Sequence, residues 1–453
     1  MGRQYAQPHP LKAGRLLAAL LAILCLISLW APGVKADVGF HELVDTYAQS
    51  VYMLSLNTQQ EVYAKFEAVR RSPASLTKIM TALVVLELSG DPTQETVTVP
   101  DNGLFDEILS EGGANISLQA GETLTVQDLL YAMMLPSACD AAELLAWHFG
   151  NQSVAAFVEK MNAKALALGL KDTHFANPHG LEANKHYSSA KDMAVILQEA
   201  LKMPLFDQIV HARNYVIPAT QKSKARTVSY TIAMLNPSSS FYYPHMYGVK
   251  SGYTNQAGRC LASIGSKNGM DFLLVVMGCN LDKSQAALNQ NLSYADTKAL
   301  YEYAFENLQA VKAVAQGRAY GQVAVEGGTQ DTVTLTAAQD LTVLCYKNAA
   351  LRYVLEAPKS LKAPLTDATV GTLKVMAGQE CLAEVALIPS TPVSAVVATT
   401  TQKPSPYTAA QQGNLFTNDP VTVILLLSLA ILILLAVLFT TLVGVKRSKK
   451  NTR

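Results

Sequence analysis

The sequence predicts an α+β protein of two folded domains, followed by a C-terminal transmembrane helix. Strand-like and helix-like segments mix between residues 37 and 308, short alternating β runs occupy residues 318–390, and residues 421–445 carry no charged side chain. The chain has 453 residues, of which 50% are hydrophobic and 16% are charged. It is therefore too long for one ordinary domain and too apolar for a disordered chain.

The N-terminal 36 residues have the pattern of a secretory signal peptide. Basic residues precede an apolar run over residues 16–31, and Pro32-Gly33 and small residues lead to a cleavage point after Ala36. A basic head, a short apolar run and a small-residue exit are typical of such signals. The alternative is a signal anchor that stays attached, and the short run with its Pro-Gly break favours cleavage.

The C-terminal apolar stretch predicts one membrane span. Residues 421–445 would form a helix of about 37 Å at 1.5 Å per residue, enough to cross a hydrocarbon core of about 30 Å. The basic tail at 446–453 is expected to stay in the cytoplasm by the positive-inside rule. Residues 391–420, rich in Thr, Pro, Ser, Ala and Gln, predict a spacer. We therefore expect a single-pass protein of the cell membrane, with its folded domains on the extracytoplasmic side.

The distribution of charge argues against a nucleic-acid ligand. The net charge of the chain is +1, but nine basic residues lie at the two ends, which contain no acid. The rest of the chain has 27 basic residues against 35 acidic ones. Because nucleic-acid binding requires a concentrated positive surface, the acidic main part of the protein does not favour it.

The larger domain is predicted element by element from its apolar runs. Two strands near its start are followed by apolar runs of helical length, and the chain then returns to strands. Asn268-Gly269 predicts a tight hairpin between two of these strands, because Asn-Gly accepts the positive φ angles of such turns. The predicted strands are 51–56, 61–66, 260–264 and 272–278, and the predicted helices are 77–88, 126–135, 141–149, 154–168 and 294–308.

The smaller domain, residues 318–390, is predicted to be all β. Its alternating runs at 332–335, 341–345 and 383–387 are separated by glycine-rich turns. Once the signal peptide is removed, five cysteines remain, an odd number that excludes a complete disulfide framework. Cys345 and Cys381 lie in this domain, where a disulfide between them and two free thiols are equally good interpretations.

Ser75 and Lys78 form a candidate nucleophile and base. Pro73 suits the first turn of a helix, which places Ser75 at the helix N-terminus, where free N–H groups stabilise a developing oxyanion. Lys78 lies three residues on, on the same face. A lysine acts as a base only if burial or a second cation lowers its pKa from about 10.4.

The same Ser-x-x-Lys spacing recurs at Ser188 and Lys191, where a structural interpretation is simpler. Ser189 and Asp192 have the spacing of a helix cap with its acidic partner, and a helical pattern begins directly after Tyr187. We therefore assign the chemistry to the first pair.

Two further segments support the assignment of Ser75. Ser137 lies in a predicted turn between two apolar helices, two residues before Cys139. Lys250-Ser251-Gly252 precedes a predicted strand, where lysine supplies a cation for a substrate carboxylate and lowers the pKa of a neighbouring lysine.

In these residues the chain resembles the serine penicillin-binding proteins and β-lactamases, whose three elements are Ser-x-x-Lys, Ser-x-Asn and Lys-Thr/Ser-Gly. It is most similar to the D-alanyl-D-alanine carboxypeptidases, with further matching stretches at 177–181, 186–193 and 252–261. The resemblance covers about residues 37–390. It implies an antiparallel sheet flanked by helices, with a helical lobe beside it and a small β domain after it.

The resemblance also implies roles for the site residues. Ser75 would be the acyl-ester nucleophile and Lys78 its base, and Ser137 would relay protons to the leaving amine. Lys250, Ser251 and Gly252 would hold the substrate's carboxylate and backbone. One residue departs from the family pattern: Cys139 stands where asparagine is usual, and a thiol is a weaker donor and acceptor than an amide.

The implied activity is removal of the terminal D-alanine from peptidoglycan stem peptides, with β-lactams as inhibitors and no cofactor. A β-lactamase is the enzymatic alternative, although the β domain, spacer and membrane span weigh against it. A non-catalytic wall-binding protein of the same fold is the other alternative, supported by Cys139. His174, His179 and His186 lie close in sequence, but their spacing fits no zinc pattern, and no metal site is predicted.

Overall fold

The structure is a computed structural model that describes residues 44–279 and 291–396. The predicted signal peptide, the predicted span at 421–445 and the basic tail lie outside the described residues. Within the described residues, no helix is both long and apolar enough to cross a membrane.

The described residues form the following strands and helices, numbered in chain order. The strands are β1 Ser50–Ser55, β2 Glu61–Lys65, β3 Thr96–Thr98, β4 Thr123–Thr125, β5 Asn214–Ile217, β6 Arg226–Ser229, β7 Met246–Thr254, β8 Gly258–Lys267, β9 Met270–Cys279, β10 Leu308–Val314, β11 Ala319–Glu326, β12 Thr332–Ala337, β13 Leu341–Tyr346, β14 Leu351–Glu356, β15 Ser360–Lys362, β16 Gly371–Ala377 and β17 Glu380–Pro389. The helices are α1 Thr77–Leu88, α2 Asp106–Ser110, α3 Val126–Met134, α4 Cys139–Phe149, α5 Val154–Ala167, α6 Ala190–Ala200, α7 Pro204–His211 and α8 Leu292–Asn307.

A five-stranded antiparallel sheet forms the centre of the first domain, in the order β2-β1-β9-β8-β7. The hairpin between β8 and β9 turns at Asn268-Gly269, whose φ angles of 54° and 75° are the positive values that this dipeptide accepts. Strands β8 and β9 are buried over most of their length. Their nearly continuous apolar sequence follows from this burial, because helices cover the sheet on both faces.

Helix α1 lies at the centre of the helical lobe. Its residues from Thr77 to Val85 are all buried, on every side of the helix. It packs against α3, α4, α5 and α6, and α6 in turn packs on β1 and β9. A helix that is apolar all round is stable only where other elements enclose it. The prediction of an antiparallel sheet flanked by helices, with a helical lobe, is confirmed.

The second domain begins with β10, which pairs with β13. A six-stranded sheet follows in the order β14-β16-β17-β12-β11-β15. The predicted start of this domain at residue 318 therefore falls after its first strand. Gln60 joins the two domains: its amide donates to the Leu344 carbonyl at 3.2 Å and accepts from the Leu344 N–H at 2.6 Å.

The cysteines of the described residues are free thiols. The possible disulfide between Cys345 and Cys381 is therefore absent. Cys345 is buried in the core that the two domains share, whereas Cys381 is only partly buried on β17.

Candidate active site

Ser75 lies in a short 3-10 turn, Ala74–Leu76, that leads directly into α1. Lys78 follows one turn later, and its Nζ lies 3.1 Å from Ser75 Oγ. The spacing of three residues thus brings the two groups into hydrogen-bond contact on one face, as the sequence predicts.

The Lys78 amine is enclosed by three partners. Besides Ser75 Oγ, its Nζ lies 2.5 Å from the His179 carbonyl oxygen and 3.4 Å from Cys139 Sγ. The side chain is fully buried, and this burial lowers the pKa of Lys78 from its usual value of 10.5. A neutral amine has two N–H groups and one lone pair. Since the carbonyl accepts one N–H, a second N–H directed at Cys139 leaves the lone pair facing Ser75.

The segment 174–187 fixes the other side of α1. Thr81 Oγ1 donates to the Pro178 carbonyl at 2.6 Å, and Thr77 Oγ1 lies 2.8 Å from His186 Nε2. Together with Lys78, these threonines form one face of the helix. The histidines of this segment therefore have structural contacts, and the described residues contain no group of three ligands placed to hold a metal ion.

Ser137 lies in the turn before α4, and Cys139 is the residue at which that helix begins. Ser137 has φ +70°, a left-handed conformation that is costly for a residue with a side chain and is concentrated at functional sites. Cys139 is the first residue of α4 and is only 3% exposed. The Asp140 carboxylate accepts from the N–H groups of Ile116 and Leu118, which ties residues 114–118 to this turn.

Lys250, Ser251 and Gly252 lie on β7, opposite Ser75. The Lys250 side chain is buried and donates to the Ser251 carbonyl at 2.9 Å. Burial and the nearby Lys78 both lower the pKa of Lys250. At Gly252 a Cβ atom would lie 2.8 Å from the Ser75 amide nitrogen, so only glycine lets the strand approach the nucleophile this closely.

These elements surround a cleft of about 430 Å³. Of the seven predicted site residues, Ser75, Ser137, Cys139, Ser251 and Gly252 line it. Lys78 and Lys250 are buried and do not contribute to the lining. A larger depression of about 730 Å³ contains none of the seven predicted site residues.

The structure adds residues that sequence reasoning does not assign to the site. His179 contributes its backbone carbonyl, and Gly180 packs against Ala74, where a Cβ would lie 2.0 Å from the carbonyl oxygen. Arg259 lines the cleft, and its guanidinium lies 5.4 Å from the centre of the Tyr253 ring. For His179 and Gly180, the one indication in the sequence was their place in the stretch 177–181 that resembles the family.

A serine paired with a buried lysine beside an open cleft is the arrangement of serine acyl-transferring enzymes that use a lysine base. Comparison with known proteins identifies the family. Residues 38–280 match the D-alanyl-D-alanine carboxypeptidase family, and residues 308–395 match the C-terminal domain of penicillin-binding protein 5. The chain belongs to the D-alanyl-D-alanine carboxypeptidase family.

Individual relatives agree with this assignment. The chain is 31% identical over 378 residues to the D-alanyl-D-alanine carboxypeptidase DacF of Bacillus subtilis, covering 82% of this chain and 92% of that protein. A D-alanyl-D-alanine carboxypeptidase of Streptomyces sp. K15 is 33% identical over 231 residues, covering 50% of this chain and 79% of that protein. Penicillin-binding protein 5 of Haemophilus influenzae has the same fold, with a TM-score of 0.63, 24% identity and coverage of 78% of this chain and 99% of that chain.

The protein is thus a serine-type D-Ala-D-Ala carboxypeptidase, a hydrolase whose family acts on peptidoglycan stem peptides and binds β-lactams. The interpretation as a D-alanyl-D-alanine carboxypeptidase, made from the resemblance of the motifs and their flanking stretches, is confirmed.

Proposed function

We propose that Ser75 forms the acyl-enzyme and that Lys78 is its general base. The observation that carries this proposal is the 3.1 Å contact between Lys78 Nζ and Ser75 Oγ beside the cleft. Because burial lowers the pKa of Lys78, a larger fraction of the amine is neutral near pH 7 than for an exposed lysine. A neutral amine at this distance accepts the hydroxyl proton as Oγ attacks.

The acylation step follows from this geometry. Ser75 Oγ attacks the carbonyl carbon between the last two D-alanines, and its proton passes to Lys78 Nζ. The Ser75 N–H, at the start of α1, donates to the oxyanion. The C–N bond then breaks, and the terminal D-alanine leaves with a proton that Ser137 relays from Lys78. Water next attacks the ester, with Lys78 again as base, and releases the shortened peptide.

The strand β7 is proposed to bind the substrate. Ser251 and Gly252 line the cleft, and the absence of a side chain at Gly252 lets the peptide lie close to Ser75. Lys250 lies beneath, where its proximity to Lys78 disfavours a charge on both amines. Its Nζ donates to the Ser251 carbonyl and so fixes the backbone of the strand on which the substrate is proposed to lie.

Release of D-alanine tests the proposed chemistry. The purified protein, incubated with a peptide ending in D-Ala-D-Ala, is expected to release one D-alanine per peptide, and labelled penicillin is expected to remain attached to Ser75 in mass spectra. Rapid hydrolysis of the penicillin would instead indicate a β-lactamase. Absence of both labelling and D-alanine release would indicate a wall-binding protein without catalysis.

Cys139 is predicted to contribute to the acylation rate. Its thiol lines the cleft and contacts Lys78 Nζ, so we expect Cys139→Asn to keep or raise the rate of penicillin acylation. A stronger hydrogen-bonding group is worth about 1 kcal/mol, or roughly fivefold. Cys139→Ala is expected to slow acylation modestly.

The measurement for Cys139 is the second-order acylation rate of the three proteins, combined with alkylation followed by mass spectrometry. Bound penicillin is expected to protect the thiol. An unreactive thiol together with an alanine variant at the parent rate would assign Cys139 to packing alone.

We also propose that one C-terminal span holds the protein in the cell membrane, with the catalytic domain on the wall side. The charge-free stretch 421–445 and the basic residues after it support this proposal. The family's peptidoglycan substrate lies outside the cytoplasm, which supports the same orientation.

Truncation before Pro420 is predicted to release an active, soluble enzyme, because the site residues all precede residue 260. The measurement is penicillin labelling in the soluble and membrane fractions after a salt wash. A truncated protein that stays in the membrane fraction would mean that the N-terminal apolar run is an uncleaved anchor.

A further inference from the structure

Glu143, on α4, has a buried carboxylate oxygen without a hydrogen-bond partner. It is four residues after Cys139 on α4, so it lies one turn further along the same helix face. Its Oε2 atom is buried and forms no hydrogen bond, and it lies 3.6 Å from His179 Nε2. Burying a carboxylate oxygen without a hydrogen bond lowers the stability of the fold, so such an atom calls for an explanation.

The His179 ring connects Glu143 to the catalytic site. Its Nδ1 accepts the Leu181 N–H at 3.2 Å and therefore carries no proton. Burial and the nearby Lys78 lower the pKa of His179 to about 3, so the ring is neutral near pH 7. The single ring proton is thus on Nε2, directed toward Glu143. The backbone carbonyl of the same residue accepts from Lys78 Nζ at 2.5 Å.

We propose that Glu143 is a positioning residue for the general base. Its carboxylate attracts the Nε2–H of His179 and so holds the ring and the backbone of that residue, whose carbonyl takes one N–H of Lys78 and leaves the lone pair facing Ser75. This inference rests on the proposed roles of Ser75 and Lys78, and it adds a residue that acts on them from outside the cleft.

The contact depends on the ionisation of Glu143. Burial and the nearby Glu107 raise the pKa of Glu143 from its usual value of 4.5 to about 7. The neutral acid attracts the partial positive charge of Nε2–H less strongly than the charged carboxylate does, because the attraction at 3.6 Å is electrostatic. The positioning is therefore expected to strengthen as pH rises through about 7.

Glu143 and His179 line a second cavity of about 340 Å³, and the other carboxylates that line it are those of Glu107, Glu111 and Glu182. Glu182 is engaged by the hydroxyls of Ser72 and Thr254. Asp140, three residues before Glu143 on α4, accepts backbone N–H groups, and Lys78 lies on the other side of His179, whose carbonyl it contacts.

Replacing Glu143 should stabilise the folded protein at the same pH at which it slows acylation. A carboxyl whose pKa is raised in the folded protein loses stability as pH rises from its unfolded value of 4.5 to the folded value of about 7. Replacing Glu143 by an uncharged residue therefore removes a cost that is fully present above pH 7. We expect Glu143→Gln to melt at a higher temperature than the parent at pH 8, and at a similar temperature at pH 4.5.

The test is the second-order rate of acylation by a fluorescent penicillin between pH 5 and pH 9. At pH 8 we expect Glu143→Gln to acylate about fivefold more slowly than the parent, and Glu143→Leu about tenfold more slowly. At pH 5.5 the parent and Glu143→Gln are expected to converge, because the parent carboxyl is then protonated. The parent rate itself tests the proposed function separately.

Glu111→Gln is the matched control. This exposed carboxylate lines the same cavity, and the structure gives it no contact with His179, so the variant is expected to follow the parent rate at every pH. A ratio of parent to Glu143→Gln rates that is constant across the pH range would overturn the proposal. A Glu143→Leu protein that acylates at the parent rate would overturn it as well.

Discussion

Replacement of Ser75 by alanine is expected to abolish penicillin labelling and D-alanine release. The variant removes the hydroxyl that contacts the buried Lys78 amine, and no acyl ester forms without it. The fold should tolerate the change, since the turn Ala74–Leu76 makes no side-chain cap hydrogen bond through Ser75. The measurement is labelling by fluorescent penicillin, read on a gel and by mass spectrometry.

Ser188→Ala is the control for this experiment, because Ser188 and Lys191 have the same spacing as the catalytic pair. Ser188 is buried, and its Oγ lies 2.8 Å from Thr173 Oγ1, so its loss should cost about 1 kcal/mol of stability and leave labelling nearly intact. Ser189, as predicted, caps α6 by accepting from the Asp192 N–H. Equal loss of labelling in both variants would contradict the assignment of Ser75.

The contact between Ser75 and Lys78 was predictable because it is local. Lys78 is three positions after Ser75, in a 3-10 turn that continues into α1, and helical geometry then places the two side chains on one face. The hairpin at Asn268-Gly269 was predictable for the same reason, since its turn type depends on two adjacent residues. For contacts between residues that are close in sequence, the residue pattern was sufficient to predict the geometry.

Contacts between distant segments were not predictable in this way. The sequence cannot indicate the contact of the His179 carbonyl, because every residue has a carbonyl group. Its approach to Lys78 depends on the packing of residues 174–187 against α1. Likewise, the contact of Cys139 with Lys78 depends on the crossing of α1 and α4. The sequence identified Cys139 as a departure from the family pattern but contained no distance.

The burial of Lys250 illustrates a further limit. The sequence predicts a cation at the substrate, but the structure buries the side chain below the strand and directs its Nζ to the Ser251 carbonyl. From the sequence, a lysine next to glycine and serine is expected to be exposed. Its burial depends on the packing around the sheet, which the sequence pattern does not show. Short strands such as β3 and β5 were also not predicted, because three or four residues carry too little periodicity.

Lys78→Met is expected to lower the rate of acylation by about a thousandfold, within the range for loss of a general base. Methionine has a similar unbranched length, so it fills the space of the lysine stem without offering a proton acceptor to Ser75. The residual rate should also lose the dependence on pH that Lys78 confers. Because the pKa of Lys78 is lowered in the folded protein, the parent rate should rise as pH increases through that pKa, below its usual 10.5.

The stability of the same variant provides an independent measure of the buried amine. A base whose pKa is lowered on folding costs stability as pH falls below its unfolded value, because the unfolded chain then binds the proton more tightly. Lys78→Met lacks this cost, so its melting temperature should exceed that of the parent by an amount that grows as pH falls from 10.5 to the lowered pKa and is constant below it. Lys191→Met is the matched control: this lysine has the same spacing from a serine, but it is about half exposed and pairs with Glu61 at 3.5 Å. We expect its acylation rate to stay at the parent value. A Lys78→Met protein that acylates within tenfold of the parent would place the base elsewhere. A difference in melting temperature that stays constant as pH falls from 10.5 would mean that Lys78 is not the buried amine responsible.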